Sequence, residues 1–197
     1  MTPVLELSSV AEWAAWLRKH HASSEGVFLR IEKKSASTLS YATALEAALI
    51  WGWIDGQKKA LDENAWLQRF TRRTAKSPWS KINRDKAETL IASGKMQKPG
   101  LAEVERAKAD GRWERAYDGA KTSTVPEDLA AAFAKNARAK KFFDALDAAN
   151  RYSILYRVTT AKKPETRAER ITKFVAMCAA GETIHRRRRR NGSERTR

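Results

Sequence analysis

The stretch "YATALEAALIWGWIDGQKK", residues 41 to 59, changes its hydrophobic period halfway along. Up to Trp51, the apolar residues Tyr41, Ala44, Leu45, Ala48 and Leu49 repeat at helical spacing, and Ser40 is placed to cap the start. From Trp53 the residues alternate as in a strand. Gly52 stands between the two patterns, where a glycine in the left-handed conformation ends a helix. A chain that turns a helix directly into a strand must bury both against one core. That corner dictates how the N-terminal half can fold.

The strand from Trp53 runs to about Leu61, "DEN" at 62 to 64 makes a turn, and "AWLQRFT" at 65 to 71 returns as its partner. With a three-residue loop, Asp55 lies opposite Thr71 and diagonal to Arg69, on one face with Gln57 and Lys59. A one-residue slip would put Asp55 and Arg69 on opposite faces. Before the corner, Ser9 and Glu12 have capping-box spacing ahead of Val10, Trp13, Ala14 and Leu17, which predicts a helix over 9–20. "GVFLRIEKK" alternates as a strand.

After the hairpin comes an irregular basic connection, "RRTAKSPWSKIN", and Ser80 caps a helix that ends at Gly94. Only helices follow. One lies near 100–110, one starts at "TVPE" (124 to 127), where Thr124 and Glu127 have capping-box spacing and Pro126 falls in the first turn, and one carries Phe142, Phe143 and Leu146. Another follows Asn150, and the last runs from Pro164 to Gly181. The expected class is α+β, a small antiparallel sheet with flanking helices in the N-terminal half and a helical C-terminal half. Composition breaks near 95 and again after Gly181. They divide the chain into an α+β part (1–95), a helical part packed on it (96–181) and a disordered arginine-rich tail (182–197).

Charge narrows the partners. The 39 basic and 23 acidic residues give a formal net charge of +16. In residues 182–197, seven arginines against two glutamates leave +11 for the rest, so the body is basic by itself and anionic partners are favoured. One cysteine excludes an intrachain disulfide, and Cys178 falls at helical spacing with Ile171, Phe174 and Val175, as a buried thiol would. His20, His21 and His185 form no metal-ligand pattern, so neither a metal nor a cofactor is expected. No secretory signal and no membrane-spanning run are visible, which makes the cytoplasm the expected compartment.

Three constellations could carry chemistry. In "RFTRRTAKSPWSKINRDK", Arg69, Arg72 and Arg73 stand close to a capped helix start that carries Ser77, Trp79, Ser80 and Asn83. Guanidinium forks beside backbone N–H groups suit a carboxylate or phosphate. Asp55 could orient the arginines, although a lone aspartate is a poor general base at neutral pH. The run Arg186, Arg187, Arg188, Arg189 and Arg190 could contact nucleic acid without sequence preference. The glycine loops, HExxH, GxSxG and CxxC motifs of the common enzyme classes do not occur, and no catalytic set is visible.

In order, "WxxWL" (13 to 17), "GVFLRIEKK", "YATALEAAL" leading into "GWIDG", "RFTRR", "SPWSKIN", "SGKM", "AKADGRW" and "AKKPETRAERI" resemble the YdeI/OmpD-associated, or bacteriocin-protection, family over about 8–181. The last motif is also similar to a helix of small YdhG-like proteins. The resemblance implies a role in tolerance of bacteriocins or cationic antimicrobial peptides, and the family name records association with an outer-membrane porin. It transfers no enzymatic activity and no catalytic residues. Its signature positions map onto Gly52, Trp53, Ile54, Asp55, Gly56, Arg69, Phe70, Arg72, Arg73, Ser77, Trp79, Ser80 and Asn83. The arginine run lies outside the family pattern.

The expected function is stress protection through an anionic ligand or partner held in a basic groove by Asp55, Arg69, Arg72, Arg73, Ser77, Trp79, Ser80 and Asn83. The alternative is a nucleic-acid-binding protein, and an enzyme acting through Asp55 on an anionic substrate is a third reading. The nucleic-acid alternative predicts duplex DNA affinity that falls steeply with salt and drops when residues 182–197 are removed. A titration of both chains across a salt series checks it.

Overall fold

The computed structural model describes residues 2–33 and 39–185, and the chain divides into two compact units after Ala116. The arginine run Arg186 to Arg190 lies outside the described residues.

The first unit contains β1 (Val4–Leu5), α1 (Val10–His20), β2 (Val27–Glu32), α2 (Tyr41–Ile50), β3 (Trp53–Ala60), β4 (Ala65–Arg72), α3 (Lys81–Ala92) and α4 (Lys98–Ala109). The sheet order is β1-β2-β4-β3. β4 pairs antiparallel with both β2 and β3, as the alternation predicts. The two-residue β1 adds a parallel pair with β2 and makes the sheet mixed. A strand that short has no alternation to recognise.

Capping fixes where the helices begin. Ser9 Oγ accepts from Glu12 N (3.2 Å), Ser40 Oγ from Thr43 N (3.2 Å), and Ser80 Oγ from Asn83 N (3.1 Å). The Glu12 carboxylate reaches past Ser9 to the backbone N–H and hydroxyl of Ser8. These bonds hold its pKa below the usual value.

Val27, Leu29 and Ile31 of β2, Phe70 of β4 and Trp53 of β3 share a core with Trp13 and Leu17 of α1 and with the alanines and leucines of α2. Trp13 stacks on Trp16 with centroids 5.3 Å apart, and Trp53 stands edge-on to both. The buried indoles also keep their N–H groups bonded. Trp13 Nε1 donates to Ala44 O (3.0 Å), and Trp53 Nε1 donates to His21 O (3.1 Å).

The corner read from the sequence is present. Gly52 has φ +73°, and a Cβ there would lie 2.8 Å from Pro99 O. Gly100 is packed more tightly still, since a Cβ would meet Met96 Sδ at 2.4 Å and Ile50 O at 2.5 Å. Gln97 N donates to Ile50 O (3.2 Å). The start of α4 is thus pinned against the end of α2, and only glycine fits at the crossing.

The hairpin begins in the expected register, with Ala60 opposite Trp66. A bulge between Asp55 and Lys58 then adds a residue to β3, so Asp55 faces Phe70 instead of Thr71. Arg69 faces Phe28 across β2 and lies on the other side of the sheet. This corrects the expected diagonal between Asp55 and Arg69. The anticipated slip has occurred, and its cause is the bulge beside Gly56.

The unit boundary also differs from the compositional break near 95. Val104 and Ala107 of α4, with Trp113 and Ala116, belong to the first core. The second unit consists, among its described residues, of α5 (Glu127–Ala134), α6 (Ala137–Asp144), α7 (Ala148–Thr159) and α8 (Pro164–Ala179). Its core gathers Leu129, Phe133, Phe143, Ile154, Leu155, Val158, Phe174 and Cys178. Burial pushes the Cys178 thiol up to about 11, so it stays protonated and inert at neutral pH. α5 starts at Glu127 with Pro126 as its cap residue and no side-chain cap bond, so Thr124 does not cap it.

Replacing Gly100 by alanine is expected to lower stability by about 2–3 kcal/mol, because the opposing atoms are mostly backbone and cannot yield. Gly94→Ala faces open space and meets only the cost of its positive φ. Denaturant melts of the two variants check the ranking.

Candidate functional site

Asp55, Arg69 and the "SPWSKIN" segment do not form one surface. Tyr41 Oη, at the start of α2, donates to Asp55 Oδ2 at 2.8 Å. Asp55 therefore ties the hairpin to a helix instead of orienting an arginine. Arg69 sits on the opposite sheet face beside Phe28, and its buried Nε has no hydrogen-bond partner among the described residues.

The basic loop is largely self-supporting. Arg73 is buried, with its guanidinium stacked 3.5 Å over the Trp79 ring and its Nη1 donating to Pro78 O (3.2 Å). Trp79 is buried and meets Trp113 edge-on at 4.8 Å. Arg112 is also buried and clamps the same loop. Its Nη1 donates to Ser77 O (2.7 Å) and Thr74 O (3.3 Å), and its Nε is 2.8 Å from both oxygens of Asp110. That bonding by Arg112 holds the Asp110 carboxyl below its usual pKa. Ser77 Oγ accepts from Thr74 N, and Ser80 caps α3, whose buried Asn83 supplies the capped N–H. Ser77, Trp79, Ser80 and Asn83 thus shape the loop and close the helix start. Arg112 went unrecognised from sequence, although it stands in the quoted "AKADGRW"; a basic residue between an Asp-Gly turn and a tryptophan was the available signal.

Arg72 and Arg73 instead lead to a different place. The ends of α1, α2 and β4 and one face of α4 enclose an open cleft of about 440 Å³. Trp51 and Gly52 come from the corner, His21 and Ala22 from the end of α1, and Pro99, Ala102, Glu103 and Arg106 from α4. The fold builds it with specific bonds. Trp53 holds His21 O, Arg72 Nη1 donates to Ala22 O (2.9 Å), and Arg73 N donates to Gly52 O (3.0 Å). The rings of His21 and Trp51 pack with centroids 4.8 Å apart. Arg106 is ion-paired with Glu103 one turn away. Arg72 is exposed and pairs with no acid among the described residues. Three arginines against one carboxylate among its lining residues make the cleft positive, and Trp51, Pro99, Ala22 and Ala102 give it apolar wall beside His21 and Thr74.

A smaller hollow of about 230 Å³ involves Glu6, Ser8, Arg30 and Glu32. Arg30 and Glu32 are paired at 2.9 Å and Glu6 adds a second carboxylate, so its net charge is negative and disfavours an anion. Among the described residues, no group of histidine, cysteine and carboxylate side chains could hold a metal, and no helix is long and apolar enough to cross a membrane.

In the second unit, two ties are specific. Arg167, in "AKKPETRAERI", grips Asp128 with Nε–Oδ2 at 2.6 Å and Nη2–Oδ1 at 2.9 Å, and its Nη1 reaches Val158 O. Buried Asn150 accepts from His185 N (2.8 Å) and donates to His185 O (3.2 Å), which fastens the segment after α8 onto α7. Ser153 Oγ lies 2.8 Å from His185 Nε2.

Residues 5–103 match the profile of a domain of unknown function, DUF8412. Residues 122–181 match the bacteriocin-protection, YdeI or OmpD-associated family, OmdA. The chain belongs to the DUF8412 family, and its C-terminal part carries a domain similar to OmdA. The OmdA match covers α5 to α8 and includes "AKKPETRAERI", whereas "GWIDG", "RFTRR" and "SPWSKIN" fall in the DUF8412 domain. The cleft is accordingly a feature of the DUF8412 domain and its continuation to Arg106. No curated protein and no solved structure matches the chain.

The Arg167 grip holds the Asp128 carboxyl below its usual pKa. The unfolded carboxyl binds its proton more tightly, so this contribution to OmdA-domain stability is present above about pH 4 and is lost as pH falls through the folded value. Both side chains are partly exposed. Replacing Arg167 by methionine is therefore expected to cost about 1 kcal/mol at pH 7 and less at pH 3. Thermal melts of the two chains at both pH values check it.

Proposed function

We propose that the protein is a cytoplasmic protection protein of the OmdA type that works by capturing an anionic ligand in the cleft between the Gly52 corner and α4. The OmdA match over residues 122–181 supports the protective role at family level. The observation that carries the binding reading is the gathering of Arg72, Arg73 and Arg106 around one cleft with Glu103 as the only carboxylate among its lining residues. Arg72 and Arg106 are exposed, so their forks can turn to a ligand, while Arg73 is held by Trp79 and contributes charge. Asp55, Arg69, Ser77, Trp79, Ser80 and Asn83 support the scaffold in this reading and do not touch the ligand.

The variant Arg72→Ala/Arg106→Ala removes the two exposed forks and leaves the buried arginines in place. Sodium phosphate at constant ionic strength is expected to raise the melting temperature of the wild-type chain and not that of the variant. The variant is also expected not to restore bacteriocin survival in cells lacking the protein. Equal stabilisation of both chains would remove the anion-cleft reading.

A further inference from the structure

The cleft is larger and less polar than a bare inorganic anion needs. At about 440 Å³ it falls within the range of roughly 300–1,000 Å³ typical of small-molecule sites. Such sites combine an apolar wall with a few convergent polar groups. Here the apolar wall is Trp51, packed against the His21 ring, and it continues along Pro99 on α4. The convergent groups are the forks of Arg72 and Arg106.

Resting on the anion-cleft reading above, we propose that the ligand is a phosphate monoester carried on a flat aromatic or heteroaromatic body, of the class of aryl phosphates and mononucleotides. Trp51 supplies the surface on which the flat body stacks, a contact that tolerates different rings because each has a π-face. Arg72 and Arg106 come from different elements, β4 and α4, and a phosphate has three peripheral oxygens that can accept from both forks at once. A carboxylate has two oxygens, which one bidentate fork already satisfies. Phosphate also carries a charge of about −1.5 to −2 at neutral pH, enough to displace the singly charged Glu103 from Arg106. Glu103 then acts as the internal competitor that occupies Arg106 until the ligand arrives, so removing its charge strengthens binding.

The test is a calorimetric titration of the full chain with phenyl phosphate, 5′-AMP, benzoate and inorganic phosphate at one ionic strength. Phenyl phosphate or 5′-AMP is expected to bind at least tenfold more tightly than inorganic phosphate or benzoate. Trp51→Leu is expected to erase that advantage and leave inorganic phosphate binding unchanged, whereas Trp51→Phe retains it. Glu103→Gln is expected to tighten all phosphate ligands. If inorganic phosphate binds and neither aromatic ester binds more tightly, the proposal is overturned while the anion cleft stands. Benzoate binding as tightly as phenyl phosphate overturns the phosphate assignment. If none of the four binds, both readings fall. Should Trp51→Leu not fold, the ligand series on the wild-type chain decides the matter by itself.

Discussion

The close approach of α4 to the end of α2 is the contact on which the first unit depends. Gly52 must turn the chain with a positive φ while leaving room for Pro99 O, and Gly100 must admit the Leu49 and Ile50 carbonyls. With that crossing in place, the α2 carbonyl at Ile50 is satisfied by Gln97, and β3 leaves the corner with Trp53 directed into the core. Trp53 in turn fastens the end of α1. The cleft is what remains where these three ends and α4 meet. Its shape therefore follows from backbone sterics at two glycines as much as from the side chains that line it.

The arginines of the basic segment divide by environment. Arg73 and Arg112 are buried, and a buried guanidinium is tolerated only where acceptors or an aromatic face replace water. The loop from Thr74 to Pro78 provides those acceptors through its own carbonyls, and Trp79 provides the face. The loop lacks a regular ladder for its backbone, so the two arginines and the loop complete one another. Arg72 and Arg106 remain near solvent and keep the capacity to meet a ligand.

The OmdA domain follows the same logic with different residues. Its helices bury a compact apolar core, and its sequence-distant ends are tied by polar side chains that bridge backbone groups. Arg167 joins the start of α5 to the end of α7, and Asn150 returns the chain after α8 to α7. Each of these side chains bonds more than one partner, which is how a single polar residue can fix the path of a segment that has no strand or helix of its own.

Hydrophobic period and capping residues alone determined the order of helices and strands after β1, the glycine stop at 52, the antiparallel hairpin and the buried Cys178, because these depend on near neighbours in the chain. The likeness of residues 122–181 to OmdA was legible in "AKKPETRAERI" for the same reason. Tertiary structure decided everything that depends on register or on distant partners. The bulge at Asp55 and Lys58 moved one carboxylate to the other sheet face from Arg69, a change of one residue that no pattern of period two announces. The candidate site shifted from the "SPWSKIN" helix start to the corner because Arg112 and Arg106, well downstream in sequence, fold back to different places, the loop after Arg73 and the cleft at Arg72. Arg112 closes the loop that was expected to bind, and Arg106 joins the cleft that the sequence could not assemble. Charge composition announced a basic surface; only the packing of α4 against Gly52 built the cleft proposed to hold an anion.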